Sequence, residues 1–131
     1  MTKPSSQIPI FFLVKTPEVV THFNALFHKV NWKVTFCDSP LDLFDHIKTV
    51  EKAIIFVEGA VSLEEGPALY DEILKRCPEA KIILVCSQAH RKLIKDMIEK
   101  GGYGSILEPY DPWEITTMVK HLMADLAEKT G

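Results

Sequence analysis

Two stretches of the chain, AIIFV at residues 53–57 and KIILVC at residues 81–86, are apolar at almost every position. They show neither the alternation of a half-buried strand nor the three-and-four spacing of a helix face. A short run of β-branched and aromatic residues that is dry on both sides needs cover on both sides, and a central strand of a parallel sheet has that environment. IFFLV, ending at Val14, is a third run of the same kind. Parallel neighbours cannot be joined by a tight turn, so each such strand must be followed by a crossover, usually a helix.

The crossovers are legible. After a first strand at about Ile8 to Val14, Thr16 can cap and Pro17 can open a helix with Val19, Val20, Phe23, Leu26, Phe27 and Val30 on its apolar face. WKVTFC sets Trp32, Val34 and Phe36 against Lys33, Thr35 and Cys37, the alternation of an edge strand with one drier face. Ser39, Pro40 and Asp42 start a short helix that uses Leu41, Leu43, Phe44 and Ile47 and ends near Val50. Beyond the third strand, Gly66 and Pro67 introduce a helix with Leu69, Ile73 and Leu74 inward, stopped by Pro78. Beyond the fourth, Leu93, Ile94, Met97 and Ile98 mark a helix ending at Gly101-Gly102. A strand from Tyr103 to Leu107 and a helix opened by Asp111, Pro112 and Glu114 complete the order. The expectation is five strands and five helices in strict alternation, a doubly wound α/β sandwich.

With 131 residues, 47% of them hydrophobic, the chain is expected to form a single domain over residues 8–131 after a disordered segment at residues 1–7. A net charge of −3 leaves no basic excess for nucleic acid. The apolar run at Ile8 to Val14 is too short for a membrane span, and Lys15 follows it where a signal peptide needs a small-residue cleavage site. Cys37, Cys77 and Cys86 are odd in number and form no CxxC, so neither disulfides nor a zinc site is expected, and a cytoplasmic location follows. The five histidines form no HExxH and no metal pair.

The opening stretch ends abruptly on an acid, Glu58. In doubly wound sheets, ligands and chemistry gather beyond the carboxyl ends of the strands where strand order reverses, so Glu58 stands in the place that matters. Gly66 lies eight residues after it, and Glu108-Pro109 follows the fifth strand. In this spacing the chain resembles, from about Ile8 to Leu126, the receiver domains of bacterial two-component response regulators. The resemblance implies a flavodoxin-like (βα)5 fold with a five-stranded parallel sheet in strand order 2-1-3-4-5. It also implies an acceptor position for phosphate at Glu58 and a lysine position at Glu108. The magnesium-holding acids fall on Lys15 and Thr16. The hydroxyl position at the end of the fourth strand falls on Cys86, with Ser87 next. The switching aromatic falls on Ser105 and the loop proline on Ser62. Spacing is kept while every reactive residue is changed.

Phosphoryl transfer depends on cations placed around the transferring oxygens. This pocket gathers Glu58 and Glu108, with Lys15 alone to offset them, and Lys15 can pair with Glu58 where the metal is lost. The chain is therefore expected to be a pseudo-receiver: a noncatalytic signalling module, without metal or cofactor, acting through protein contacts. The alternative is a phosphorylatable receiver with an atypical acceptor, served by a histidine kinase or fused to an output domain. Flavin and dinucleotide binding fail because VKTPEVV has no glycine and GGYG precedes a strand. No GxSxG elbow supports a hydrolase. In the receiver family the face formed by the fourth helix, fifth strand and fifth helix commonly binds a partner or a second copy. Here Tyr103, Tyr110 and Trp113 border it beside Lys95, with Met118 and Met123 as further candidates.

Overall fold

The computed structural model describes residues 8–128; the segment 1–7 expected to be disordered lies outside the described residues. Strands β1 (Ile10–Leu13), β2 (Val34–Cys37), β3 (Lys52–Glu58), β4 (Glu79–Cys86) and β5 (Gly104–Leu107) form one sheet in the order β2-β1-β3-β4-β5. Every pairing is parallel, with Leu13 opposite both Cys37 and Val57, and Glu58 opposite Val85. This is the doubly wound α/β topology expected.

The all-apolar strands divide their side chains between two cores. Phe11, Leu13, Ile55, Val57, Ile82 and Leu84 face one layer, built by α2 (Pro40–Ile47), α3 (Gly59–Glu65), α4 (Ala68–Arg76) and α5 (Leu93–Glu99). Phe12, Ile54, Phe56, Ile83 and Val85 face the other, built by α1 (Pro17–His28) and α6 (Pro112–Glu128). Phe12 anchors the second core: its ring stacks on Phe56 at 4.6 Å and on Phe36 at 4.8 Å, and meets Phe23 and Phe27 at 5.2 and 5.1 Å. With both faces covered, alternation vanishes from the central strands.

The helix count differs from five. Between β3 and β4 the chain makes two helices, α3 directly off Glu58 and α4 after Gly66-Pro67, and a 3-10 turn, Gln88–His90, precedes α5. Gly66 separates α3 from α4 at φ 84, a backbone conformation that suits glycine, and its N–H closes α3 on the Ser62 carbonyl. Helix α3 has no side-chain cap of its own, so it lacks the usual start signal, yet Val61 and Ser62 are buried.

Other residues also depart from expectation. Leu41 and Ile98 stay exposed, because the buried face of α2 is set by Leu43 and Ile47 and that of α5 by Met97, and residues one or two positions away do not share that face. Cys37, assigned to the wetter side of the edge strand, is buried under α2. Met123 packs into the core beside Leu122 and Leu126, so it leaves the expected partner surface, and Met118 packs against the same core. Thr16 occupies the cap position of α1 without capping through its hydroxyl. At α2 the expected cap is present, Ser39 Oγ accepting the Asp42 N–H at 3.1 Å. At α6, Asp111 accepts the Glu114 N–H at 2.8 Å.

Candidate functional site

Strand order reverses at β1, so the crossovers leave its two sides in opposite directions and open a crevice above β1 and β3. A cavity of about 160 Å³ lies at that end of the sheet. Thr16, Glu58, Gly59, Cys86, Ser87, His90, Glu108 and Tyr110 are among its lining residues.

Glu58 ends β3 and is buried, 5% exposed. Its Oε1 accepts two main-chain N–H groups from the start of α1, Lys15 at 2.7 Å and Thr16 at 3.1 Å. These N–H groups precede the helix and would otherwise need water or a cap. A carboxylate here satisfies both with charge-assisted bonds and sits at the positive end of the α1 dipole. Glu58 thus satisfies the two N–H groups just ahead of α1, which are not the first-turn donors that a Thr16 hydroxyl would cap.

The expected ion pair between Lys15 and Glu58 does not form. The Lys15 side chain turns outward to Glu64 on α3, Nζ to Oε1 at 2.8 Å, with both partners about half exposed. The hydrogen bond and charge of Glu64 raise the Lys15 pKa, and the charge of Glu58 adds least. Lys15 meets Glu58 through its backbone, while its ammonium ties the segment after β1 to α3.

Glu108, an exposed residue just past the end of β5, is a second acid among the residues lining the cavity. Its N–H donates to the Cys86 carbonyl at 3.2 Å, and its own carbonyl accepts from Gln88 Nε2 at 2.8 Å, so the loops after β4 and β5 are tied together. Burial first, and then the charge of Glu108, push the Cys86 thiol up, which keeps it protonated and unreactive. Tyr110 enters the same space, its ring 5.5 Å from Phe23 and its carbonyl in contact with His22 Nε2 at 2.9 Å. Burial, with Glu108, Cys86 and Glu58 adding, pushes the Tyr110 phenol up to about 12. Tyr110 therefore lines the cavity, a position that sequence had not given it.

Of the pocket residues read from sequence, Thr16, Glu58, Cys86, Ser87 and Glu108 come together. Lys15 is turned away, and Ser105, half-buried on β5 opposite Leu84, is not among the lining residues. Ser62, at the loop-proline position, is buried inside α3 and shares a hydrogen bond with the Tyr70 hydroxyl. Among the lining residues that the sequence did not point to are His90, Gly59 and Ala60. His90 is carried over the cavity by the 3-10 turn after β4, and Gly59 is packed so tightly that a Cβ there would come within 2.8 Å of Cys86 Cβ. Their only signal was position, immediately after strands that end at the crevice. A shallower groove of about 650 Å³, lined by Glu18, His22, Gln88, Glu108 and Tyr110 among others, continues outward. Tyr103, Trp113 and Lys95 are exposed, with Trp113 at 74%.

No protein-family model and no curated protein matches the chain. Solved structures do. The signal receiver domain of an HD domain-containing protein from Pseudomonas fluorescens superposes with a TM-score of 0.85 at 15% identity, covering 99% of this chain and 96% of that one. A response regulator from Thermotoga maritima gives 0.77 at 16% identity, covering 90% and 98%. The receiver domain of a sensor histidine kinase from Pseudomonas aeruginosa, described with a magnesium ion coordinated in its active-site cleft, gives 0.76 at 13% identity, covering 90% and 98%. The chain has the fold of response-regulator receiver domains. Among the described residues no helix is long and apolar enough to cross a membrane.

Proposed function

We propose that the chain is a receiver-like signalling module that works by contact with another protein and without phosphorylation of its acceptor position. The observation that carries this reading is the engagement of Glu58: buried at the end of β3, its Oε1 is already held by the N–H groups of Lys15 and Thr16. In the structure from Pseudomonas aeruginosa a magnesium ion occupies the cleft. The corresponding residues here do not fit that ion. The end of β1 offers an ammonium turned to Glu64 and a threonine in place of an acid pair, and magnesium is held in such sites through carboxylates. Glu108 adds negative charge where a transferring phosphoryl group needs positive charge. Both features favour a crevice locked by its own residues, with no catalytic role.

The surface favours contact. Three of the large exposed apolar side chains, Ile98, Tyr103 and Trp113, are carried by α5, the turn into β5 and the first turn of α6, and Lys95 lies on the same helix as Ile98. This is the face, counted as fourth helix, fifth strand and fifth helix in sequence, that serves receivers as an interface, and aromatic side chains near a charged rim suit a protein partner or a second copy. Three unpaired, buried cysteines suit the reducing cytoplasm.

The test is incubation of the purified chain with acetyl phosphate and magnesium, read by intact mass. The proposal expects no added phosphoryl group. A gain of one phosphoryl group, mapped to Glu58 or to any other side chain of the crevice, overturns it in favour of an atypical phosphoacceptor.

A further inference from the structure

At the carboxyl end of the edge strand β2, on the flank of the sheet remote from β4 and β5 and sharing no residue with the Glu58 cavity, three side chains of different chemistry converge. The Cys37 sulfur, an Asp42 carboxylate oxygen and a His46 ring nitrogen lie within 4.8 Å of one another. Cys37 ends β2 and is buried beneath the pair, while the Asp42 and His46 side chains are 41% and 43% exposed and look outward. Asp42 and His46 stand one turn apart on α2, His46 Nε2 to Asp42 Oδ1 at 3.6 Å. The start of that helix is set by Ser39, whose Oγ accepts the Asp42 N–H.

We propose that Cys37, Asp42 and His46 form a zinc-binding site that staples α2 to the edge strand. Thiolate, imidazole and carboxylate together match the borderline-soft character of zinc, whereas magnesium and calcium select oxygen alone. In a tetrahedral zinc site, bond lengths of about 2.0–2.3 Å place neighbouring donor atoms roughly 3.4–3.7 Å apart. The Asp42–His46 separation of 3.6 Å already meets that. Drawing in the sulfur needs a shift of about 1 Å, within the reach of a side-chain adjustment. Three protein donors leave a fourth position for water, reachable from the exposed side. On binding, the S–H bond breaks and a Zn–S bond forms; the thiol proton passes to solvent, and no electron is transferred. Burial, then the charges of Asp42 and Asp38, push the metal-free Cys37 thiol up to about 12, so the metal has to displace a firmly held proton. The spacing Cys-x4-Asp-x3-His joins a strand end to a helix, so it matches neither CxxC nor HExxH. That is why sequence inspection expected no zinc.

The experiment titrates the reduced full chain with Zn²⁺ in competition with a chromophoric chelator, repeats it with Co²⁺, and follows thermal unfolding with and without zinc. Expected are one equivalent bound, a thiolate-to-Co²⁺ charge-transfer band and a raised unfolding temperature. Removing outer-shell partners of a metal commonly costs about 10- to 100-fold in affinity, so His46→Gln and Asp42→Asn, which lose a ligand, should weaken binding by more than about 100-fold. Cys37→Ser should abolish the cobalt band, while Cys77→Ser and His121→Gln leave binding unchanged. His46 is exposed and its replacement spares the fold, so the test does not rest on the buried cysteine. Affinity weaker than about 0.1 mM, or binding by His46→Gln equal to that of the native chain, overturns the proposal. Neither outcome bears on the phosphate-independent reading of the crevice.

Discussion

Glu58 Oε1 accepts the main-chain N–H of Lys15 at 2.7 Å across 43 positions of sequence, and the Thr16 N–H at 3.1 Å. One buried carboxylate therefore joins the end of β3 to the entry of α1. Hydrogen bonds to a charged acceptor contribute about 1.5–3 kcal/mol each, and removing the acceptor leaves the donors buried. Glu58→Ala is expected to lower stability by about 2–4 kcal/mol. Glu58→Gln keeps an acceptor oxygen and loses the charge, so its cost should be smaller, about 1 kcal/mol. Urea denaturation with an unchanged slope is the check; equal losses in the two variants would show that charge, not the acceptor, dominates.

Lys15 provides the contrast. Its ammonium pairs with Glu64 at 2.8 Å at the surface, where solvent and salt screen the attraction. Lys15→Ala should leave the unfolding midpoint unchanged within error at physiological salt, because the bonds that matter to Glu58 come from the backbone. A clear loss would mean that the ammonium stabilises the crevice at long range.

Restoring phosphoryl chemistry should need more than an aspartate. Glu58→Asp with Lys15→Asp supplies an acceptor and one metal ligand, but Glu108 still places a carboxylate where charge must be offset. The double variant is expected to remain unmodified by acetyl phosphate and magnesium. Adding Glu108→Lys should permit a gain in mass. Modification of the double variant would show that Glu108 does not guard the site.

Sequence carried the fold well because the strongest driving force, burial on both faces of the sheet, is written directly in AIIFV and KIILVC. It failed at α3, whose cap position is a strand residue, Glu58, with no capping bond. It failed again at Cys37 and Met123, where polarity and periodicity left two faces open and tertiary packing chose. Position along the strands located Glu58 and Glu108 together, since strand ends converge by topology. The partner of Lys15 was not legible, because a flexible side chain selects among Glu58, Glu64 and Glu65 by geometry that spacing does not encode.

Tyr110 should titrate late. Burial, followed by Glu108, Cys86 and Glu58, pushes its phenol up to about 12, above the ordinary value near 10. A raised folded-state pKa contributes stability that is fully present below the unfolded value and is lost as pH rises toward the folded one, here between about pH 10 and 12. Ultraviolet difference titration of the folded chain is expected to show a phenolate transition near 12 that disappears in Tyr110→Phe. A native-like chain with unchanged titration after that substitution would place Tyr110 outside the acidic cavity.

Gly59 tests how tightly the crevice is closed. It opens α3 at the cavity wall, and replacement by alanine has two opposed effects. Alanine is favoured over glycine in a helix by about 1 kcal/mol. Against this, the new Cβ would lie 2.8 Å from Cys86 Cβ, held by the central strand β4, and 3.4 Å from His90 Nδ1. Overpacking of that kind costs about 1–3 kcal/mol, and a Cβ fixed to a sheet cannot swing aside as a long side chain can. The clash should win, leaving Gly59→Ala less stable by about 1–2 kcal/mol. Gly104 supplies the control: nothing lies within 4 Å of a Cβ there, so Gly104→Ala should be neutral or stabilising by about 0.4–1 kcal/mol. Thermal unfolding of both variants beside the native chain decides it, and a Gly59→Ala protein as stable as Gly104→Ala would mean that α3 moves freely off β4.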